Sequence, residues 1–304
     1  LNDEGAMSTC KDTRATSIDT AIESLVEAKG EAHVIAGGIA LGILMNEKLV
    51  QPSWLIDISG VEAFRGIELL EDGTLRIGAM ETHHAIQRSE IVSESIPMLT
   101  EMAAEIACGR IKNRGTIGGN ICLADPQGDP PIAALALGAT LRAVGTNGTR
   151  DIPVADFFTD LYTTSLSEDE LLQDIRFPPL SANCGAAYGK FAARNAMDYT
   201  STVSVAVRAV VDPDEGTITE VGLGSGGVGF IPVCPKMTEA VFIGEKPDSE
   251  TFASARQALF EELEPIEDHL YSADYKRHVV SVILRRTMER AYARALPQTG
   301  ASSP

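Results

Sequence analysis

The stretch Arg110-Ile-Lys-Asn-Arg-Gly-Thr-Ile-Gly-Gly-Asn-Ile-Cys-Leu-Ala-Asp-Pro-Gln-Gly-Asp-Pro-Pro131 decides how this chain is read. Gly115, Gly118 and Gly119 lie close together, so the backbone can take positive φ and approach a ligand without a Cβ in the way. Thr116 and Asn120 add a hydroxyl and an amide, and successive turn N–H groups can form an anion-cradling nest. Arg110, Lys112 and Arg114 concentrate positive charge just upstream. Asp125-Pro126 and Asp129-Pro130-Pro131 impose turns before an apolar run over 132–137 that starts a helix. On these residues alone two readings stay open: a loop that holds a phosphate-bearing ligand, or an ordinary glycine-rich turn.

A second stretch, Ala36-Gly37-Gly38-Ile39-Ala40-Leu41-Gly42, follows a short apolar run and precedes a helix-like segment. Neither stretch matches the Walker or dinucleotide fingerprints. Two strand–glycine–helix loops about eighty residues apart suggest one diphosphate gripped from two sides.

Composition narrows the classes. The chain has 304 residues, 44% of them hydrophobic, which fits a globular protein of two or three domains. A net charge of −18 argues against a nucleic-acid partner, whose phosphates need clustered Lys and Arg, and against an anionic membrane surface. No apolar run approaches the roughly 20 residues of a membrane helix, and the first residues lack the basic and apolar regions of a signal peptide. Cys10, Cys108, Cys122, Cys184 and Cys234 are odd in number and far apart. They form neither a disulfide framework nor a zinc or iron–sulfur ligand set, so a reducing, cytoplasmic setting is expected.

Periodicity gives an order of elements. Residues 16–30 read as a helix capped by Ser17, with Ile18, Ala21, Ile22, Leu25 and Val26 on one stripe and Gly30 at its end. Strands are expected at 34–35 and 54–58, a hairpin around Asp72-Gly73, and a helix over 96–107 with Leu99, Met102, Ala103 and Ile106 inward. Short strands follow at 140–144, 151–154 and 171–177. Pro178-Pro179 marks a domain boundary, after which 187–194 and 201–211 read as paired strands and 218–224 pairs back. Gly224–Gly229 reads as a third glycine-rich turn, and 249–263 and 273–294 as helices. The fold class is therefore α+β.

The pair Ala-Gly-Gly-x-x-Leu and Thr-Ile-Gly-Gly-Asn, the second running on to Ala-Asp-Pro, resembles the FAD-binding medium subunit of the molybdenum hydroxylases. That family includes carbon monoxide dehydrogenase and the flavin domain of xanthine dehydrogenase. The likeness extends through Gly78-Ala79-Met80 with Thr82-His83, Asp156-Phe157-Phe158, Tyr162-Thr163-Thr164, Glu170-Leu171-Leu172, Tyr188-Gly-Lys190-Phe191 with Arg194, Asp198-Tyr199, and Ser272-Ala-Asp-Tyr275-Lys276-Arg277-His278.

The resemblance implies a two-lobed FAD-binding region of the vanillyl-alcohol-oxidase/PCMH-like kind, with lobes at 1–60 and 61–180, then an α+β C-terminal domain at 181–304. It implies FAD contacts from Ala36, Gly37, Gly38, Ile39, Ala40, Leu41, Thr116, Ile117, Gly118, Gly119, Asn120 and Asp125. It puts Lys190 at the flavin N1–C2=O edge, where a cation would stabilise the reduced ring, and Tyr199 over a ring face. It implies an electron-transfer role beside an iron–sulfur small subunit with [2Fe-2S] clusters and a molybdopterin large subunit, in a dimer of heterotrimers. Relatives often carry a hydroxyl or amide directly after the first Gly-Gly, where this chain has Ile39-Ala40.

Each residue also has a plainer reading. Asp125 and Asp129 precede prolines, where carboxylates often bond turn amides. Lys190 could be a solvated strand residue, Tyr199 a core residue, and Tyr275-Lys276-Arg277 a subunit interface or a helix surface. Adjacent His83 and His84 diverge in direction, so a shared metal is disfavoured and a capping or surface role expected. Two other functions remain as alternatives: a stand-alone FAD-dependent oxidase or reductase, and a non-enzymatic FAD-binding scaffold.

Overall fold

The computed structural model of the chain describes residues 10–192 and 202–296. The first layer contains β1 (Lys11–Arg14), α1 (Ile18–Ala28), β2 (Ala32–Ile35), α2 (Ile39–Asn46) and β3 (Trp54–Asp57). Its sheet is parallel, in the order β1-β3-β2, with Trp54 level with both Lys11 and Ala32. Ser17 caps α1 by accepting from Thr20 N, and Lys29 and Gly30 end it with positive φ. Ala21, Leu25 and Trp54 are buried against Ile56 and Phe64, but Val26 points to solvent at 49% exposure. The α1 stripe is thus narrower than its apolar residues imply.

The second layer opens with the hairpin β4 (Ile67–Leu69) and β5 (Leu75–Gly78), turning at Gly73 with φ 83°. Six helices follow: α3 (His83–Arg88), α4 (Glu90–Ser95), α5 (Pro97–Glu105), α6 (Gly109–Lys112), α7 (Ile117–Leu123) and α8 (Asp129–Leu137). Then come β6 (Thr140–Gly145), β7 (Gly148–Pro153), the small pair β8 (Phe158–Asp160) and β9 (Thr163–Thr164), and β10 (Leu171–Phe177). The main sheet is antiparallel in the order β4-β5-β10-β6-β7. Leu75, Ile77, Leu141 and Ile175 of the sheet share one core with Leu99, Met102 and Ile121 of the helices.

Residues 178–183 lead to the third layer. It holds β11 (Cys184–Phe191), β12 (Val203–Val211), β13 (Ile218–Gly226), α9 (Lys236–Phe242), α10 (Ser249–Glu262) and α11 (Ala273–Ala295). Its sheet is antiparallel in the order β11-β12-β13. One face carries Ala187, Val205, Val207 and Leu223 into a core with α11, where a Cβ on Gly185 would lie 1.9 Å from Ala291 O.

The other face receives α8, every residue of which is buried. Glycines at alternate positions of β13 make room for it. A Cβ on Gly222 would lie 2.2 Å from Ala136 O, and one on Gly224 would lie 2.1 Å from Ile132 O. The first half of the expected third glycine turn, Gly224–Gly226, is therefore strand. Of these glycines only Gly227 has positive φ; Gly224 leaves room for the helix backbone, and Gly226 for the Ile132 and Ser204 side chains. α8 is consequently shared, covalently part of the second layer and packed on the third.

Gly224→Ala should lower the thermal unfolding midpoint by an amount equivalent to about 1–3 kcal/mol, the usual cost of overpacking a rigid core. Gly109→Ala, which meets no atom within 4 Å, is the control and should change little. Equal effects of the two substitutions on calorimetric unfolding would contradict this packing.

Candidate cofactor site

The first glycine loop leaves β2 at Ile35 and enters α2 through Gly38, which has φ 74° and ψ 10°. No side chain caps α2, so the N–H groups of its first turn, at Ile39, Ala40 and Leu41, lack intrahelical acceptors. Such groups, with the positive end of the helix dipole, suit an anion. Backbone amides are therefore what positions 39 and 40 can offer a ligand.

The second stretch is less of a loop than its glycines suggest. Thr116 caps α7 by accepting from Gly119 N at 3.1 Å, so Gly118 and Gly119 lie in its first turn. Gly115, Gly118 and Gly119 do not take positive φ. They are small because neighbours crowd them: a Cβ on Gly118 would lie 2.5 Å from Ala79 Cβ, and one on Gly119 would lie 2.7 Å from Thr116 Oγ1. The segment from Ala79 to His83 forms a mould for this turn. Ala79 O accepts from Gly118 N, Glu81 O from Ile117 N, and Gly115 O from His83 N, at 2.9, 2.9 and 3.1 Å. These pairings correct the expected nest, because the N–H groups of Ile117, Gly118, Gly119 and Asn120 already have acceptors within the protein. What this turn can offer a ligand is the Thr116 hydroxyl proton, the Asn120 amide and the Arg114 guanidinium.

The two glycine stretches touch. A Cβ on Gly37 would lie 1.8 Å from Arg114 O, and one on Gly119 would lie 3.7 Å from Ala36 Cβ. Arg114 Nε and Nη2 reach back to Gly37 O, each at 3.4 Å. Ala36 and Gly37 are thereby brought against Arg114, Gly115 and Gly119, with Gly38, Ile39, Ala40 and Leu41 following Gly37 into α2 and Thr116, Ile117, Gly118 and Asn120 flanking Gly119 in α7. Asn120 Oδ1 is buried with no hydrogen-bond partner. An unpaired buried amide oxygen is costly, and a ligand donor at this place would relieve it. The uncapped α2, the Thr116 hydroxyl and the Asn120 side-chain amide N–H make a cradle that fits the diphosphate-bearing part of a dinucleotide, while Oδ1 suits a hydroxyl or N–H donor elsewhere on it.

Asp125 follows Ala124, which ends α7 with φ 52°. Its Oδ1 accepts from Gln127 N at 2.9 Å in a local turn, and burial raises its pKa. Asp129 is different. Gly128 before it packs against Asn120 Oδ1, and Asp129 itself, 1% exposed, accepts from Tyr188 Oη and from Lys190 Nζ, the latter at 3.0 Å. Lys190 is therefore not a solvated strand residue; its side chain is only 7% exposed. Tyr188 and Lys190 share the face of β11 that looks toward α8. A cavity of about 620 Å³ opens beside them, bordered also by Glu105, Gly189, Arg286 and Thr287. Tyr199, Arg194 and Asp198 lie outside the described residues.

Sequence reasoning read Asp129 as a turn carboxylate and gave Tyr188 no role of its own. The signal was present: an acidic residue opening a wholly apolar helix cannot reach water and must find a partner. Two other expectations need correction. His83 is core rather than surface, 2% exposed, with its ring against Gly115, while His84 is exposed. Lys276 is also buried, donating to Ile266 O and pairing with Asp268 at 2.6 Å, so it braces the segment before α11.

Against known families, residues 9–180 match the FAD binding domain in molybdopterin dehydrogenase, and residues 186–291 match the CO dehydrogenase flavoprotein C-terminal domain. The chain is 31% identical over 283 residues to subunit alpha of the 6-hydroxypseudooxynicotine dehydrogenase complex of Paenarthrobacter nicotinovorans, covering 93% of this chain and 94% of that one. It is 35% identical over 279 residues to the nicotine 6-hydroxylase medium subunit of the same organism, covering 91% and 95%. In three dimensions it is similar to a chain of carbon monoxide dehydrogenase from Hydrogenophaga pseudoflava, with TM-score 0.90, 32% identity, and 94% and 98% of the two chains covered.

Burial, aided by nearby Lys112, lowers the His83 pKa from 6.5 to about 4. The unfolded chain therefore takes up this proton first as pH falls. His83 contributes stability that is complete above pH 6.5 and is lost as pH drops through about 4. The loss can reach about 3 kcal/mol. Melting temperatures recorded from pH 7 to 5 should fall less steeply for His83→Gln than for the parent. Parallel slopes would contradict a neutral, buried His83.

Proposed function

The chain belongs to the FAD-binding flavoprotein family of the molybdopterin dehydrogenases, and we propose that it is the electron-transfer subunit of a molybdenum hydroxylase complex. In this reading it receives electrons from [2Fe-2S] clusters on a small subunit, which take them from a molybdopterin site on a large subunit, and passes them to an external acceptor. Three chains assemble, and two such trimers pair. Bound FAD supplies a centre that accepts electrons singly and releases them as a pair.

The observation that carries this reading is the contact between Gly37 and Arg114 O, which fuses two distant loops into one cradle. The first-turn N–H groups of α2 bind pyrophosphate oxygens, while Thr116 and Asn120 donate from the opposite wall. Arg114 adds a positive charge at the rim. Each such dipole or charge contact is worth roughly 0.3–1 kcal/mol, so retention depends on several acting together. Asp125 borders the flavin side of the site. In this reading Lys190 would offer its ammonium to the N1–C2=O edge of bound FAD.

The regions 1–60 and 61–180 act as the two FAD lobes, and 181–304 as the C-terminal domain. All five cysteines are free and scattered, which supports the reading that the clusters belong to a partner chain; a cytoplasmic setting is part of the same proposal. Among the described residues no helix is long and apolar enough to cross a membrane.

Rapid mixing of the FAD-loaded chain with its reduced iron–sulfur partner should bleach the flavin absorbance in a single phase that saturates with partner concentration. The chain alone should leave substrate unchanged. Turnover of substrate by the isolated chain would instead make it a stand-alone oxidase or reductase.

A further inference from the structure

Asp129 opens α8, and the other residues of that helix are all apolar. Its carboxylate accepts from Tyr188 Oη on one oxygen and from Lys190 Nζ on the other, at 3.0 Å for the lysine. Carboxylate, phenol and ammonium are all withdrawn from water. Burying an ion pair costs several kcal/mol per charge, and apolar residues of similar volume often stabilise a fold equally well. Packing alone does not account for the triad. Its lysine lies beside the cavity bordered by Gly189, Arg286 and Thr287, whose Oγ1 is buried without a partner. A Cβ on Gly128, one residue before Asp129, would lie 2.8 Å from the unpaired Asn120 Oδ1, so the triad begins one residue from a position that the cradle leaves no room to enlarge.

We propose that Asp129 sets the charge that Lys190 presents to the flavin, as a positioning residue and an electrostatic counterweight. The inference rests on the reading that Lys190 faces the ring. Asp129 fixes the ammonium in one place and offsets part of its field, while Tyr188 draws some of the carboxylate charge away from the lysine. The reduced ring, negative near N1, is then stabilised less than it would be by a lone buried lysine. Three residues, not one, set how readily this cofactor gives electrons up.

The test is a potentiometric titration of the FAD-loaded full chain at pH 6, with variants matched for FAD content and thermal midpoint. Lys190→Met should lower the midpoint potential and Asp129→Asn should raise it. Each shift should be about tenfold in the ratio of reduced to oxidised flavin affinity, equal to about 30 mV for a two-electron couple. Tyr188→Phe, which keeps the ring and removes one donor from Asp129, should lower it. A lowered potential in Lys190→Met with no rise in Asp129→Asn overturns the counterweight and leaves the lysine at the flavin. An unchanged potential in Lys190→Met overturns both. Should Asp129→Asn not fold, Tyr188→Phe decides, and an unchanged or raised potential there overturns the inference.

Discussion

The absence of a side chain at position 37 is the constraint on which the site depends. Gly37 lies against the carbonyl of Arg114, 77 residues away along the chain, with no room for a Cβ. That contact turns two ordinary features, an uncapped helix start and a capped one, into facing walls. Neither wall is held by its own sequence. The first is fixed by the parallel sheet that ends at Ile35 and by the packing of α1 behind it. The second is fixed by backbone bonds to Ala79, Glu81 and His83, which belong to the end of β5 and the start of α3. A shift in either layer would open the cradle.

Buried charge shows the same division between scaffold and site. Asp174 is 1% exposed and is held by Arg76 at 3.0 Å and Arg176 at 2.8 Å, both from strands of the central sheet. That cluster sits within the sheet and is satisfied by rigid, delocalised cations. Asp129 is equally buried but is matched with a lysine and a phenol beside a cavity. Lysine is the cation that responds most to its surroundings. One carboxylate ties strands together, and the other tunes what a ligand would meet.

Much of this was legible in the sequence. The β2–glycine–α2 unit, the Asp72-Gly73 hairpin, the antiparallel third sheet and the long helix α11 follow from periodicity and turn chemistry, which are local. The illegible parts are those set by tertiary contact. Residues 117–123 are helical although two of them are glycine, because Thr116 caps them and Ala79 and Glu81 take their amides. Gly115, Gly118, Gly222 and Gly224 were needed for proximity, and a sequence does not distinguish that need from a need for positive φ. The burial of Lys276 and His83 likewise depends on elements far along the chain. Asp129 was legible in principle, since an acid at the head of an apolar helix announces a buried partner.

The account stands most directly on whether the chain itself holds FAD through both glycine stretches. The decisive measurement is the visible spectrum of the purified chain, with identification of what it releases on denaturation, for the parent and for Gly37→Ala. The account predicts FAD in near one-to-one ratio from the parent and a folded variant with most of it lost, because a Cβ at position 37 pushes the Arg114 wall away. A folded, colourless parent that takes up no FAD even with its partner chains would contradict it.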